Sequence, residues 1–595
     1  MAQVDIDTLK EKYAAERLKR LRPDGNDQYV RLAGHLSHYL DDPYTPVADR
    51  APRLDHVTVT VVGAGFAGLL TAARLKEIGT SRVRLVDKAG DVGGTWYWNR
   101  YPGAQCDTAS FVYMPLLEET SHMPSEKYAH GPEILEHCRR IAETYDLYDD
   151  ALFHTEVTAL RWDDLAARWT VTTSRGDEFT TQYVVLGTGP LHVPKLPGTP
   201  GIESFQGHSF HTSRWDYDYT GGSPLGEPMD RLKDKRVAII GTGATSVQCV
   251  PHLAGACREL YVFQRTPSSV DVRNNAPTDP EWFKQLASEG WQRRWMENFA
   301  ATQTGRMPDE DLVQDGWTDL AQRIRRRIMS IPEGEMTAER MMDAFEESDF
   351  EKMDEIRARV DAIVEDPATA AGLKAWYRQL CKRPCFHDEY LQAFNEPRTH
   401  LVDTDGSGVE RIDELGVVVA GQHYDVDCII FASGFEVGTP YWRRAGFDVV
   451  GRNGRTLSAH WAGGMRTKHG IHAHGFPNAF FVQLTQGANL ISNVPHNLSE
   501  SAITIASVVS HAAAGGFTRV EVTEQAEDEW MALLRSGVTF LGSADCTPGY
   551  YNNEGRPSEG DSDSWRGYPL GAVAYFEYIE QWRSDGGFDG LRFSS

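Results

Sequence analysis

The chain has 595 residues, 41% of them hydrophobic and 24% charged, with a formal net charge of −25. That length suffices for two to four domains with large cores, and the composition is that of a globular protein. The acidic balance excludes an extended nucleic-acid surface, but not phosphate sites, because phosphate binding is local.

Residues 1–7 carry acids and no apolar core of a signal peptide. The apolar uncharged run over residues 57–73 contains three glycines and falls short of the roughly 20 residues of a membrane span. A cytoplasmic protein is expected. The eight cysteines, at 106, 138, 249, 257, 381, 385, 428 and 546, form neither a C-x-x-C pair nor a short disulfide framework. Reduced thiols are therefore expected. Cys381, Cys385 and His387 lie close in sequence, but the second half of a zinc site is missing, so no metal is expected there.

Residues 4–22 read as a charged amphipathic helix with Leu9, Tyr13, Leu18 and Leu21 as its apolar positions. The arm up to about residue 54 reads as a strap on the main body; a part in a substrate rim or a subunit contact is the alternative. Residues 57–62 form a buried-type strand, followed by the turn Gly63-Ala-Gly65-Phe-Ala67-Gly68, a helix over 66–78 and a strand over 83–86. This is a βαβ unit. Gly63 permits the tight turn, Gly65 lets backbone approach a pyrophosphate and Gly68 allows close helix–strand packing. Asp87 ends the second strand 19 residues beyond Gly68, where a carboxylate accepts hydrogen bonds from ribose hydroxyls.

Residues 169–173 and 183–186 read as later strands. A second unit begins with the strand 236–240 and the turn Gly241-Thr-Gly243-Ala-Thr-Ser246, and ends with the strand 260–263. Here Arg265 and Thr266 replace the acid. A cation and a hydroxyl at that strand end suit the 2′-phosphate of NADP, so NADPH is favoured over NADH. Two such units in one chain point to two dinucleotides held close together, as when a nicotinamide must reach a flavin. Residues 276–378 turn helical in pattern, and strand-like segments return near 401, 417–419 and 428–431.

Between the two units lies Phe205-Gln-Gly207-His-Ser-Phe-His211-Thr212-Ser-Arg-Trp215-Asp216. Gly93-Gly94-Thr95-Trp96, Tyr101-Pro102-Gly103 and Asp107 follow the first unit. In these two fingerprints and their order the chain resembles the Baeyer–Villiger monooxygenases over residues 57–580. The segment Cys546-Thr-Pro-Gly-Tyr-Tyr-Asn-Asn-Glu-Gly555 and the N-terminal arm are similar to the longer members that take macrocyclic and other bulky ketones. Asp216 stands where many members have Pro.

The resemblance implies bound FAD, NADPH and molecular oxygen, with a flavin peroxide attacking a ketone to give an ester or lactone. The cofactor supplies that chemistry and the protein orients and charges the site. Arg383, in Cys381-Lys382-Arg383-Pro384, occupies the position of the cation that stabilises the peroxide and its adduct, and Asp107 that of the carboxylate orienting it. Lys382 matches a 2′-phosphate contact. Thr95, Trp96, Tyr97, Trp98 and Tyr113 match FAD-side positions, Gln105 and Cys106 line the NADP side, and Val157 and Val494 offer backbone contacts to FAD. Gly187-Thr-Gly189 and Ala432-Ser-Gly434 match linker turns, and His211 is read as holding the linker rather than as an acid or base.

The resemblance further implies an α/β fold with two Rossmann-like dinucleotide-binding domains and a helical insertion in the second. The expected division is an arm over 1–54, an FAD part over 55–190, an NADP part over 191–275, the insertion over 276–378, a second NADP part over 379–395 and a second FAD part over 396–595. Many relatives carry a Trp near the position of Thr547; Tyr550 and Tyr551 follow instead. The loop 486–493 departs from the usual Gly-Pro-rich form. His469, His472 and His474 read as loop or pocket-lining residues rather than a metal site. Three alternatives stand beside ketone oxidation: a flavin-dependent S- or N-monooxygenase; a disulfide reductase, which has only Cys106 near the first glycine turn; and a non-catalytic NADPH-sensing flavoprotein. The expected partners are a small ketone and oxygen, with neither nucleic acid nor membrane.

Overall fold

A computed structural model describes residues 6–595 except 305, 307, 333, 484, 489–492, 538–544 and 557–561. Two sheets organise the chain. In the first, the neighbours run Val449–Val450, Val157–Asp163, Arg168–Thr173, Glu178–Leu186, His56–Val62 and Val83–Val86, and Ala479–Phe481 also pairs with Glu178–Leu186. The strands around the first glycine turn are parallel, with Val59 opposite Val83 and Tyr183 opposite Val59. Their side chains are buried on both faces, as parallel strands covered by helices require. Helix Phe66–Glu77 packs Leu69, Leu70 and Ala73 into one core with Leu498, Ala502, Ile505 and Val509 of helix Val494–Gly515.

The second sheet is wholly parallel, in the order Thr399–Asp403, Glu259–Gln264, Arg236–Ile240, Cys428–Phe431 and His208–His211. Two of these strands lie beyond residue 396, so the boundary expected at 395/396 does not follow the sheets. Thr399–Asp403 and Cys428–Phe431 complete the sheet of the second glycine turn. Isolated short apolar runs carry no mark of the sheet they will join; only pairing partners decide it.

Helices Pro280–Leu286, Trp291–Gln303, Gly316–Ser330, Ala338–Ile363 and Pro367–Leu373 lie in sequence between Glu259–Gln264 and Thr399–Asp403, two neighbouring strands of the second sheet. They bridge both halves. Trp291, Trp295 and Phe299 share a core with Trp96, Phe111 and Val112, whereas Val360, Val364 and Leu373 pack on the second sheet with Val237 and Leu260.

The arm is a strap across both halves. Helix Ile6–Arg20 docks Tyr13 on Phe350 at 5.4 Å, and Arg357 donates to the Tyr13 hydroxyl at 3.0 Å. Leu18, expected on its buried face, is 65% exposed, while Glu16 and Arg20 are buried as an ion pair at 2.6 Å. The helix is held by paired charge, which an apolar periodicity does not reveal. Further on, Tyr29–Val30 pairs with Leu196–Pro197, and Leu36 and Tyr39 enter the core of the second sheet. Among the described residues no helix is long and apolar enough to cross a membrane.

Candidate active site between the two glycine turns

Both glycine turns open on one cleft of about 2690 Å³. The two turns are built alike. Gly63 has φ +103°, and a Cβ there would lie 2.4 Å from the Gly187 carbonyl oxygen; Gly241 has φ +112°, and a Cβ there would lie 2.5 Å from the Ala432 oxygen. Each turn therefore needs glycine twice over, for its left-handed backbone and for its contact with a linker turn. Gly68 lets its helix approach the strand so closely that a Cβ would stand 1.8 Å from the Gly63 oxygen. Ser246 takes the corresponding place, buried in the second unit.

Three features show that the residues fit two dinucleotides. Gly243 has no atom within 4 Å of where a Cβ would stand, so its backbone faces open cleft. The Thr266 hydroxyl is buried and makes no hydrogen bond among the described residues. The cleft also far exceeds the ~300–1,000 Å³ of a site for one small ligand. Gly65, Ala67, Asp87, Thr95, Trp96, Trp98, Tyr113, Val157 and Val494 line its first end. The Trp96 indole donates to the Tyr113 hydroxyl at 3.2 Å. Asp87 accepts from the amides of Ala64 at 2.6 Å and Ala89 at 2.8 Å, and burial pushes its pKa up. Lone pairs remain on both oxygens for ribose hydroxyls.

Arg383 lines the cleft and meets Asp107, 276 positions away in sequence and buried just behind the cleft surface. The Arg383 Nη1 donates to Asp107 Oδ2 at 2.6 Å. Burial alone would push the Asp107 carboxyl up, but Arg383 and Arg273 outweigh it and hold it below the usual range. Burial would lower the Arg383 pKa; the facing Asp107 raises it instead, so this guanidinium stays charged. Arg273 was not among the expected residues. Its guanidinium donates to Asp107 Oδ1 and to the Gln105 side chain, and it is almost wholly buried. Gln248, on the helix of the second turn, donates to the Gln105 carbonyl at 2.8 Å and accepts from the Tyr101 hydroxyl at 2.9 Å. The Trp317 indole donates to the Asp107 carbonyl at 2.8 Å. An Arg within a loop between an apolar strand and a helix gives no sequence signal of its own.

At the second end Arg265, Thr266 and Lys382 line the cleft together. Arg265 donates to the Gln28 side chain at 2.5 Å and to Glu554 at 3.3 Å. Lys195 stands 3.8 Å from Glu554 and 3.6 Å over the Tyr29 ring. Burial, then Arg265, lowers the Lys382 pKa to about 8. Gln28, Tyr29, Lys195 and Glu554 were missed by the sequence reading. They come from the arm, a linker and the late loop, which only the fold assembles.

Several expectations are corrected. Tyr97 is absent from the cleft lining; its hydroxyl donates to Asp42 at 2.5 Å and accepts from the Thr45 hydroxyl at 2.8 Å, both in the arm. Cys106 is buried beneath the cleft surface, and burial pushes its thiol pKa up. Cys381 is not a free thiol: it forms a disulfide with Cys546, across a separation of 165 residues, which ties the late loop to the segment carrying Lys382 and Arg383. The other six cysteines are free and buried. His469 and His472 lie on a loop, as one of the two readings had it, but are buried in the core and do not line the cleft. His469 stands edge-on to Trp530 and Trp582, each at 4.7 Å, and burial lowers the pKa of His472 to about 3. Near Thr547, the aromatic surface comes from Tyr550 and Tyr551, packed at 4.4 Å, with Trp565 at 6.0 Å from Tyr551. Of the loop 486–493, residues 489–492 lie outside the described residues.

The fingerprint residues stand behind the cleft. Phe210 and Trp215 pack at 5.2 Å, the Trp215 indole donates to Thr220 at 3.1 Å, and Thr212 is buried. A Cβ at Gly207 would lie 2.4 Å from the Phe205 ring. Asp216 pairs with His208 at 2.9 Å. His211 is fully buried, edge-on to Phe435 of the second linker at 5.5 Å, and burial lowers its pKa to about 3.

Comparison with known proteins places this geometry. Residues 60–281 match the family model described as pyridine nucleotide-disulphide oxidoreductase. The chain is 50% identical over 589 residues to neopentalenolactone D synthase of Streptomyces avermitilis, covering 98% of each chain. It is 47% identical over 584 residues to a Baeyer–Villiger monooxygenase of Streptomyces coelicolor, covering 97% of this chain and 95% of that one. The polycyclic ketone monooxygenase of Thermothelomyces thermophila superposes with a TM-score of 0.90 at 38% identity, covering 100% of this chain and 99% of that one. The complex of OTEMO with FAD and NADP gives a TM-score of 0.73 at 28% identity, covering 92% and 100%.

Proposed function

The chain belongs to the Baeyer–Villiger monooxygenases, flavoenzymes that use FAD and NADPH, and on that premise we propose that it oxidises a bulky polycyclic or macrocyclic ketone to its ester or lactone. The observation that carries this reading is Arg383, paired to the buried Asp107, in the wall of a cleft lined by both glycine turns. Bound FAD, reduced by NADPH, supplies the oxygen-activating chemistry. Arg383 offers a permanent cation where negative charge develops on the reacting oxygens. Asp107 holds that cation in place. Gly63, Gly65 and Asp87 seat one dinucleotide; Gly241, Gly243, Arg265, Thr266 and Lys382 seat the other. His211 braces the linker. The second nucleotide part then runs to about residue 431 rather than 395.

A wide aromatic surface beside Arg383 supports a bulky apolar substrate: Phe299, Trp317, Tyr550, Tyr551 and Trp565 all face the cleft. Incubation with NADPH and a ketone panel, followed by mass analysis, should give lactones from fused-ring and macrocyclic ketones in preference to cyclohexanone. Exclusive turnover of the small ring would overturn the substrate class. The net charge of −25 supports a small-molecule partner over nucleic acid.

Lys382 makes the cofactor preference depend on pH. With its pKa lowered to about 8, it is charged below that pH and neutral above it. A phosphate dianion favours the charged form. The KM for NADPH should therefore rise as pH increases through about 8, whereas the KM for NADH should not follow it. Parallel profiles for the two cofactors would remove Lys382 from the phosphate site.

A further inference from the structure

Asp107 carries two guanidiniums, and the two are unlike. Arg273 is 3% exposed at its side chain and is spent on Asp107 Oδ1 and Gln105. Arg383 is 39% exposed, lines the cleft and gives one nitrogen to Asp107 Oδ2. One carboxylate therefore faces two permanent cations. No other carboxylate is hydrogen-bonded to either guanidinium among the described residues. Gln105 and Gln248 are neutral, His387 is neutral because burial lowers its pKa to about 4, and Asp388 lies at the surface, accepting from the Arg273 and Asn274 amides.

We propose that Arg273 is a positioning residue that neutralises Asp107 from behind and so leaves the charge of Arg383 uncompensated toward the cleft. A lone Asp–Arg pair would orient the guanidinium but cancel its field; two carboxylate oxygens shared between two arginines orient it and leave one net positive charge. The division of oxygens also keeps Asp107 paired whenever Arg383 turns to an anion, so that motion does not strand a buried carboxylate. The inference rests on the reading of Arg383 as the cation beside the flavin.

The test is the midpoint potential of the flavin in purified holoenzyme, because a net positive charge nearby favours the anionic reduced flavin. Arg383→Ala is the control and should shift the potential negative. Arg273→Met should shift it the same way by a comparable amount, and Arg273→Lys should stay near the wild type. Asp107→Asn should shift it positive, and the double variant Asp107→Asn/Arg273→Met should return close to the wild type, since its net charge is the same. A residue that merely supports the fold would not give opposite shifts that cancel in the double. Should Arg273→Met not retain flavin, the pair Asp107→Asn and Asp107→Asn/Arg273→Met decides alone: the double must lie below the single. An Arg273→Met potential equal to wild type, with the Arg383→Ala shift present, overturns the inference and spares the reading of Arg383. An unmoved potential in Arg383→Ala overturns both.

Discussion

Arg383→Ala should keep flavin reduction by NADPH detectable and lose ester formation by roughly 10²–10³-fold, the usual effect of deleting a group aimed at developing charge. The side chain is the exposed partner of a pair whose other member, Asp107, is buried, so its removal takes the charge from the cleft surface and little from the core. Asp107 remains paired with Arg273, which is why the variant should fold and hold its cofactors. Rapid mixing with NADPH reads the reduction step by flavin absorbance, and product mass reads oxygen insertion. A normal ester yield would strip Arg383 of its role. Lysine at 383 should recover only part of the activity, because a point charge on a flexible stem does not keep the fixed, planar contact to Asp107.

The second large effect is expected at Arg265. Its guanidinium is fixed by Gln28 and Glu554 and shares the end of the cleft with Lys382 and the Thr266 hydroxyl, which has no hydrogen-bond partner among the described residues. A hydrogen bond to a charged group contributes about 1.5–3 kcal/mol, so Arg265→Ala should raise the KM for NADPH roughly 10- to 100-fold. NADH lacks the 2′-phosphate, and its KM should change little. Glu554 already offsets part of the Arg265 charge, which moderates the effect, and in the variant that buried carboxylate keeps Lys195 and the Tyr29 hydroxyl. Steady-state kinetics with both cofactors decides it, and equal changes would contradict the phosphate contact.

Local pattern carried much of this fold. Residues 57–86 announce a strand, a glycine turn, a helix and a second strand, and the structure has His56–Val62, Phe66–Glu77 and Val83–Val86. The second unit is equally legible, because close backbone approach admits only glycine at Gly63 and Gly241 and leaves that requirement written in the chain. The fingerprints around Gly94 and His211 identified the family for the same reason. What stayed hidden has a common cause. The Cys381–Cys546 disulfide, the contact of Gln28 with Arg265 and the pairing of Arg273 with Asp107 join positions more than 160 residues apart. No periodicity or spacing encodes such partners.

The sequence by itself determined the two nucleotide units and their order, because backbone sterics demand glycine at short range, and its two fingerprints determined the family, whose resemblance makes Arg383 and Asp107 the candidate cation and carboxylate. Only the tertiary structure decided which sheet the late strands join, that the arm and the late loop meet Arg265, and that a second arginine stands behind Asp107. Those outcomes depend on which surfaces pack against one another, and packing is a property of the whole chain rather than of any one stretch of it.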